Sequence, residues 1–198
     1  MEITDLHANP VVEFEKWFHL AEETDLPHPN SMTLATTTKE GKPSARVILL
    51  KEFDEEGFVF YTNYQSRKGE ELQKYPFAVL VFHWDVLSRQ IRIEGKVERV
   101  SQKMSDAYFQ SRPRESCLAA WASDQSQVIA DRSVLEERVA TLKKKYANRD
   151  IPLPPFWGGY RLIPEAFEFW IEAPNRLHDR FWYTKQPPPA WTIKRLAP

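Results

Sequence analysis

Two cations bracket an apolar segment early in the chain. Residues 46–51 read Arg-Val-Ile-Leu-Leu-Lys, so Arg46 and Lys51 flank four aliphatic side chains typical of a strand. A guanidinium and an ammonium placed here can bind an anion such as phosphate. The alternative is a core strand whose charged ends reach water. Because their positions differ by an odd number, a regular strand would send them to opposite faces, so a common site requires a bulge, a strand end or a ligand between subunits.

Further cations occupy the first turn of a predicted helix. Residues 61–68 read Tyr-Thr-Asn-Tyr-Gln-Ser-Arg-Lys, with Ser66 as helix cap followed by Arg67 and Lys68. Cations at a helix N-terminus oppose the helix dipole, and an anion bound there would explain them. The alternative is a tolerated surface cost of a few tenths of a kcal/mol.

A third polar group lies at a predicted helix junction. Tyr108, Arg112 and Ser116 are spaced by four, and Pro113 interrupts them. The residue before a proline avoids the helical region, so Arg112 is expected to end one helix and Pro113 to begin the next. A hydroxyl, a guanidinium and a new helix N-terminus would then converge on a phosphate. A solvated helix corner is the alternative.

Three potential cations crowd a short connector after Phe169-Trp170. Residues 175–180 read Asn-Arg-Leu-His-Asp-Arg, which places Arg176, His178 and Arg180 close together with only Asp179 to offset their charge. The connector is therefore either fully exposed or it surrounds an anionic or electron-rich ligand.

The elements that would position these groups follow from periodicity. Asn9-Pro10 predicts a helix start, and the helix runs to near Asp25. Strands are predicted over 32–37, 46–51, 58–62, 78–84, 89–100, 157–163, 167–170, 180–184 and 191–196. Helices are predicted from Ser66 to Tyr75, from Ser101 to Ser111 and after a Ser133/Glu136 capping box. This order predicts an α+β domain built on a closed or nearly closed antiparallel barrel with peripheral helices.

Composition narrows the class of protein. The 198 residues suit a single domain, and 27 Lys plus Arg against 28 Asp plus Glu give no reason to expect nucleic acid. Apolar runs fall far short of the roughly 20 residues of a membrane span. Cys117 is the only cysteine, and the N-terminus lacks a secretory pattern, so a cytoplasmic location is expected.

Several motifs are missing from the sequence. Neither a glycine-rich phosphate loop nor a Gly-x-Ser-x-Gly elbow is present, which argues against a Rossmann domain, a P-loop and a serine hydrolase. The five histidines show no metal-ligand spacing, so no metal is expected.

The ordered motifs together resemble one family. They are Arg-Val-Ile-Leu-Leu-Lys from Arg46, Tyr-Thr-Asn from Tyr61, Ser-Arg-Lys from Ser66, Ser-Arg-Pro-Arg from Ser111, Phe-Trp-Gly-Gly from Phe156 and Arg-Leu-His-Asp-Arg from Arg176. This set strongly resembles pyridoxamine 5'-phosphate oxidase, from Met32 to the C-terminus. The resemblance implies an FMN-binding split β-barrel, mostly antiparallel, and a homodimer with two flavin sites at the subunit interface.

The resemblance also implies a reaction and its residues. FMN would be bound by Arg46, Lys51, Tyr61, Thr62, Arg67, Lys68, Gln90, Gln125, Ser126, Trp170 and Arg180. The substrate phosphate would be held by Lys51, Tyr108, Arg112 and Ser116, with Arg176 and His178 over the pyridine ring as catalytic residues. Pyridoxamine or pyridoxine 5'-phosphate would be oxidised to pyridoxal 5'-phosphate, with hydride passing from C4' to flavin N5 and dioxygen reduced to hydrogen peroxide.

Two segments depart from the family pattern. Ile171-Glu172-Ala173 replaces the usual Gln-Gly-Gly, and Pro174 stiffens the connector. Residues 1–9, expected as a flexible arm of the single domain 1–198, carry no Arg or Tyr to cover the substrate. Residues 125–126 fall in a connector that could reach the partner's flavin.

Two alternatives stay open: a related split-barrel flavin oxidase acting on another reduced ring, and a flavin- or pyridoxal phosphate-binding protein without turnover.

Overall fold

The computed structural model describes residues 1–186 and 190–198. Over these residues the helices are α1 (Pro10–Glu22), α2 (Arg67–Lys74), α3 (Gln102–Ser111), α4 (Arg114–Ala122) and α5 (Ser133–Lys145). The strands are β1 (Ser31–Thr37), β2 (Pro43–Leu49), β3 (Glu52–Asp54), β4 (Gly57–Asn63), β5 (Phe77–Trp84), β6 (Arg89–Arg99), β7 (Trp157–Ile171), β8 (Asp179–Gln186) and β9 (Ala190–Arg195). The predicted α+β class is confirmed.

All strand pairs in the described residues are antiparallel and join one forked sheet. The main path runs β2-β1-β5-β6-β7-β4-β3. The long strand β7 pairs with β6 along one edge, while its other edge pairs with β4 over Trp157–Leu162 and with β8 over Ala166–Ile171. Because one strand serves two partners on the same edge, the sheet divides there and curls into a split barrel.

The fork depends on a bulge in β7. Gly95 of β6 pairs with Pro164, whereas Glu94 pairs with Ala166, so Glu165 is the extra residue. A side chain at Gly95 would lie 2.0 Å from the Ile163 carbonyl oxygen, so the crossing requires glycine. The sequence predicted two strands, 157–163 and 167–170, and this was wrong: the bulge carries a single strand across Pro164.

Helix α1 closes one end of the barrel with aromatic side chains. Phe14 is fully buried, and its ring lies edge-on to Phe58 at 4.8 Å and to Phe82 at 5.1 Å between centroids. Asn9 caps the helix by accepting a hydrogen bond from the Val11 amide at 2.9 Å, as predicted, although the helix ends at Glu22 rather than near Asp25. These contacts form the main hydrophobic core.

A second, smaller hydrophobic core lies under helices α3 and α4. Phe109, Cys117 and Leu118 pack with Tyr146 and Trp157 beneath α3 and α4. This packing holds the α3–α4 junction against the first residues of β7. The predicted helix boundary is confirmed, since Arg112 is extended and α4 follows Pro113.

Two local expectations need correction or comment. The Ser133/Glu136 capping box is wrong: Arg132 is the cap residue without a side-chain cap bond, and Asp131 Oδ1 instead accepts from the Ser133 amide at 2.7 Å. The segment 1–9, expected as a flexible arm, lies against the barrel, where Tyr183 donates a hydrogen bond to the His7 carbonyl oxygen at 3.0 Å.

Candidate functional site

A cavity of about 520 Å³ lies between β2, β4, α2 and the α3–α4 junction. It is lined by four cations and, among the described residues, by no carboxylate. The lining residues are Arg46, Val47, Ile48, Leu49, Lys51, Tyr61, Thr62, Lys68, Tyr108, Arg112, Pro113, Ser116, Gln125 and Trp157. Cations that line a cavity together with aliphatic and aromatic side chains are suited to a ligand that carries phosphate.

Lys68 is held in this cavity by uncharged oxygens. Its Nζ donates to Gln125 Oε1 at 2.9 Å and to Thr62 Oγ1 and Ser66 Oγ at 3.3 Å. Burial lowers the pKa of Lys68 to about 8, and the Arg46 charge acts in the same direction. A partly buried ammonium without a directly bonded carboxylate favours an incoming anion.

Arg46 and Lys51 reach the same cavity because β2 ends between them. The strand stops at Leu49, and the Leu50 amide bonds to the Asn30 carbonyl at 2.9 Å while the Lys51 amide bonds to the Val59 carbonyl at 2.9 Å. The chain thus leaves the β2 ladder before Lys51, which removes the strict alternation of faces. The strand end required by the odd spacing is therefore present.

The α3–α4 junction brings the third predicted group to the cavity. Tyr108 stacks on Tyr61 with 3.9 Å between ring centroids, and the Lys51 ammonium lies 5.8 Å from the Tyr108 ring. Arg112 lies over Trp157 at 4.7 Å. Burial, followed by the charge of Glu52, raises the pKa of Tyr61, which therefore remains a neutral donor.

Arg112 carries an unsatisfied polar atom. Its Nη1 is buried and has no hydrogen-bond partner in the described part of the chain. Such a group is costly unless something binds it, so its presence at the cavity wall fits an anionic ligand. Ser116, in the first turn of α4, lines the same wall.

The 125–126 connector lies against its own chain. Gln125 accepts from Lys68 and from Thr62, and Ser126 Oγ accepts from the Arg67 amide at 3.2 Å. Ser126 has a φ of 73°, a left-handed conformation that a non-glycine residue rarely adopts. These bonds hold the connector beside Lys68 and the start of α2 in the same chain. That the connector also reaches the partner's flavin stays a prediction.

The remaining predicted residues form a separate group at the fork. Gln90, Trp170 and Arg180 are consecutive partners across β6, β7 and β8. His178 lies 4.7 Å from Trp170 between ring centroids, and Arg176 is exposed in the β7–β8 connector with a φ of 61°. None of these five lines the cavity in the described residues of one chain, and neither do Arg67 and Ser126, which adjoin its lining residues Lys68 and Gln125. The structure therefore shows two groups where the sequence implied one site.

Two buried carboxylates, Glu71 and Glu168, bind cations of the two groups. Neither was predicted from the sequence. Glu71 pairs with Arg46 at 3.3 Å and with Arg67 at 2.9 Å. Glu168 accepts from Arg180 at 2.7 Å and is 3% exposed. The spacing of Arg67 and Glu71 by four on a helix was a signal for the first pair; the second crosses strands and had none.

The forked sheet defines a split-barrel protein, and cations line its cavity. A family model described as pyridoxamine 5'-phosphate oxidase matches residues 20–146, and one described as the pyridoxine 5'-phosphate oxidase C-terminal dimerisation region matches residues 157–198. The chain belongs to this family of oxidoreductases, as the resemblance predicted.

Curated relatives agree with the family models. Proteins named pyridoxine/pyridoxamine 5'-phosphate oxidase from Gloeothece citriformis and Acaryochloris marina are 58% and 54% identical to this chain. The first match covers 98% of this chain and 91% of the relative, and the second covers 98% and 89%.

Solved structures show the same fold. PhzG from Burkholderia lata, in complex with tetrahydrophenazine-1-carboxylic acid, has a TM-score of 0.92 at 31% identity, covering 98% of this chain and 95% of that one. A pyridoxamine 5'-phosphate oxidase-related, FMN binding protein from Nostoc punctiforme has a TM-score of 0.74 at 18% identity, covering 93% and 95%, and supports the fold alone. Separately, no helix in residues 1–186 and 190–198 is long and apolar enough to cross a membrane.

Proposed function

We propose that this protein is an FMN-dependent oxidase of pyridoxamine or pyridoxine 5'-phosphate. The observation that carries the proposal is the cavity with four cations and no lining carboxylate among the described residues, in a chain of this family. Two phosphate monoesters bring roughly three to four negative charges near neutral pH, which the four cations match. When bound, FMN supplies the flavin N5 that accepts hydride from substrate C4' and returns the electrons to dioxygen, giving hydrogen peroxide.

The chain's own residues bind and orient in this proposal. Arg46, Lys68 and Arg67 hold the flavin phosphate. Thr62 and Gln125 accept hydrogen bonds from the Lys68 ammonium, and Ser126 accepts from the backbone amide of Arg67. Lys51, Tyr108, Arg112 and Ser116 hold the substrate phosphate. Because the flavin carries the electron chemistry, the protein contributes mainly by placing C4' next to the ring.

The second group of residues completes the site from a partner chain. Trp170, Arg176, His178 and Arg180 all lie in the region matched by the dimerisation model, and they are absent from the cavity wall of their own chain in the described residues. A homodimer can bring them to the partner's cavity, where Gln90, Trp170 and Arg180 would contact FMN while Arg176 and His178 lie over the substrate ring.

A second candidate function has one supporting observation. The PhzG structure shares the fold at a TM-score of 0.92 and binds a tricyclic carboxylate. Oxidation of such a reduced ring needs one anion site for FMN and a wider ring site. The second set of cations, Lys51 and Arg112 with its unpartnered Nη1, favours a substrate with its own phosphate.

One assay separates these functions. The purified protein is loaded with FMN, and oxygen uptake, hydrogen peroxide and pyridoxal 5'-phosphate are measured with pyridoxamine and pyridoxine 5'-phosphate. Turnover with either substrate is the expected result. Turnover only with a reduced phenazine supports the second candidate. A yellow protein that takes up no oxygen with any of these substrates supports a flavin-binding protein without turnover.

A further inference from the structure

Glu71 is a buried carboxylate next to the cations proposed to bind the flavin phosphate. It is 6% exposed and lies in α2, one turn after Arg67. Its Oε1 accepts from Arg67 Nε at 2.9 Å, and its Oε2 pairs with Arg46 Nη2 at 3.3 Å and accepts from Thr36 Oγ1. One carboxylate thus connects α2, β1 and β2.

These bonds leave the cations in fixed positions. Arg46 Nη2 also bonds to Ser44, and its Nη1 bonds to Thr36 and to the Leu34 carbonyl. Arg67 is exposed over most of its side chain, and only its Nε is engaged by Glu71. An arginine anchored at Nε keeps both terminal nitrogens for another acceptor, such as a phosphate.

The charge count fits a phosphate dianion. Arg46, Arg67 and Lys68 would repel one another if they shared a site without a counter-ion. Glu71 reduces the three positive charges to a net of two, close to the charge of a phosphate monoester. Hydrogen bonds from Thr36 and Arg67 outweigh the effect of burial and keep the pKa of Glu71 below its usual value, so it is ionised at neutral pH.

We propose that Glu71 is a positioning residue that holds Arg46 and Arg67 in place for the FMN phosphate. This inference rests on the proposed function. It makes a prediction of definite sign. If Glu71 acted only through its charge, removing it would tighten the binding of an anion, whereas the loss of a positioning residue weakens it.

The test compares FMN with riboflavin, which lacks the phosphate. Apoprotein is titrated with each flavin, following flavin fluorescence, for wild type, Glu71→Gln and the control Glu70→Gln. Glu70 is exposed on the same helix, and its replacement changes the net charge equally. We expect Glu71→Gln to weaken FMN binding roughly tenfold or more, as loss of hydrogen bonds to charged groups does, with riboflavin binding unchanged. Glu70→Gln should match wild type.

The outcomes separate this inference from the proposed function. A wild-type protein that binds FMN no better than riboflavin overturns both. A wild-type preference for FMN that Glu71→Gln keeps or increases overturns the inference alone, and so does an equal loss for both flavins, since general damage would affect both. Thermal unfolding of each apoprotein checks the fold. If Glu71→Gln does not fold, Glu71→Asp carries the test, because it keeps the charge and shortens the reach; wild-type FMN affinity in that variant overturns the inference.

Discussion

Arg46 and Lys51 line one cavity because strand β2 ends at Leu49, between the two cations. Within the strand, Arg46 is held by Thr36 and Ser44, whereas Lys51 follows a change of chain direction fixed by Asn30 and Val59. Strand β2 thus provides one cation, and the segment that follows it provides the other, for the two proposed phosphates. Because the two cations lie on separate segments, each role can be tested alone.

The lowered pKa of Lys68 predicts a pH dependence of FMN binding. Its pKa is about 8 without ligand, and a bound phosphate dianion raises it. Above pH 8 the free protein loses the proton that the complex keeps, so binding must take up a proton. We expect affinity to stay level up to pH 8 and then to fall by up to about tenfold per pH unit. Fluorescence titration of the apoprotein from pH 7 to 9.5 measures this.

A neutral replacement identifies the titrating group. Lys68→Met should bind FMN more weakly at pH 7 and lose the decline above pH 8. Riboflavin, without the phosphate, should show little of the decline in wild type. A decline that persists in Lys68→Met assigns the effect to another group and contradicts the role of Lys68.

Arg112 should act on the substrate rather than on FMN. Its Nη1 lacks a partner in the described residues, and its guanidinium lies over Trp157 at 4.7 Å. We expect Arg112→Met to raise KM for pyridoxamine 5'-phosphate by roughly 10- to 100-fold, as loss of a charged hydrogen bond does, with the FMN dissociation constant unchanged. Steady-state kinetics at saturating FMN gives KM. Weakened FMN binding with unchanged KM would place Arg112 at the flavin phosphate instead.

Arg176 should affect turnover without affecting FMN retention. It is exposed in its own chain, so its side chain is accessible to a substrate in a partner's cavity. We expect Arg176→Ala to lower kcat roughly 10²-fold through misplaced substrate, with FMN still bound. Leu177→Ala, at an exposed neighbouring position, is the control. Unchanged kcat and KM in Arg176→Ala would contradict a catalytic role for Arg176.

Phe14 should contribute strongly to stability. It has no exposed surface and contacts rings on α1, β3, β4 and β5. Phe14→Ala should cost about 3–5 kcal/mol by leaving a cavity. For a chain of this size that lowers Tm by roughly 6–20 °C in a thermal scan followed by circular dichroism. Leu20→Ala, on the exposed face of the same helix, should shift Tm little. Similar shifts in both variants would contradict the assigned core.

The regular elements were predictable from local patterns, and their exceptions have local causes. In β6, Ile91, Ile93 and Val97 are buried while the charged residues between them are not, as alternation predicted. The continuity of β7 was missed because Pro164 normally interrupts a strand, and its tolerance depends on Gly95 in a distant strand. Local sequence patterns do not show which distant segments pair in the folded sheet.

The anion-binding residues were predictable by type, but their grouping was not. Cations at a helix start indicated a ligand near Arg67 and Lys68, and the structure brings Lys68 to a cavity that also contains Arg112. The bond of Glu71 to Arg67 was predictable from their spacing of four on a helix, whereas its bond to Arg46 joins segments that are distant in the sequence. The division into two groups was not predictable, because the position of Arg176 depends on how strands β7 and β8 pair in the folded chain.

A heterodimer distinguishes a shared site from a site within one chain. Arg112 lines the cavity, whereas Arg176 lies in the region matched by the dimerisation model. Arg112→Ala and Arg176→Ala protomers with different affinity tags are co-expressed and the mixed dimer is purified. If each site combines Arg112 of one chain with Arg176 of its partner, one site carries both changes and the other none, so about half of wild-type kcat/KM per dimer returns in a two-fold symmetric assembly. If both residues serve the site of their own chain, no intact site exists, and kcat/KM of the mixed dimer stays at the average of the two mutant homodimers.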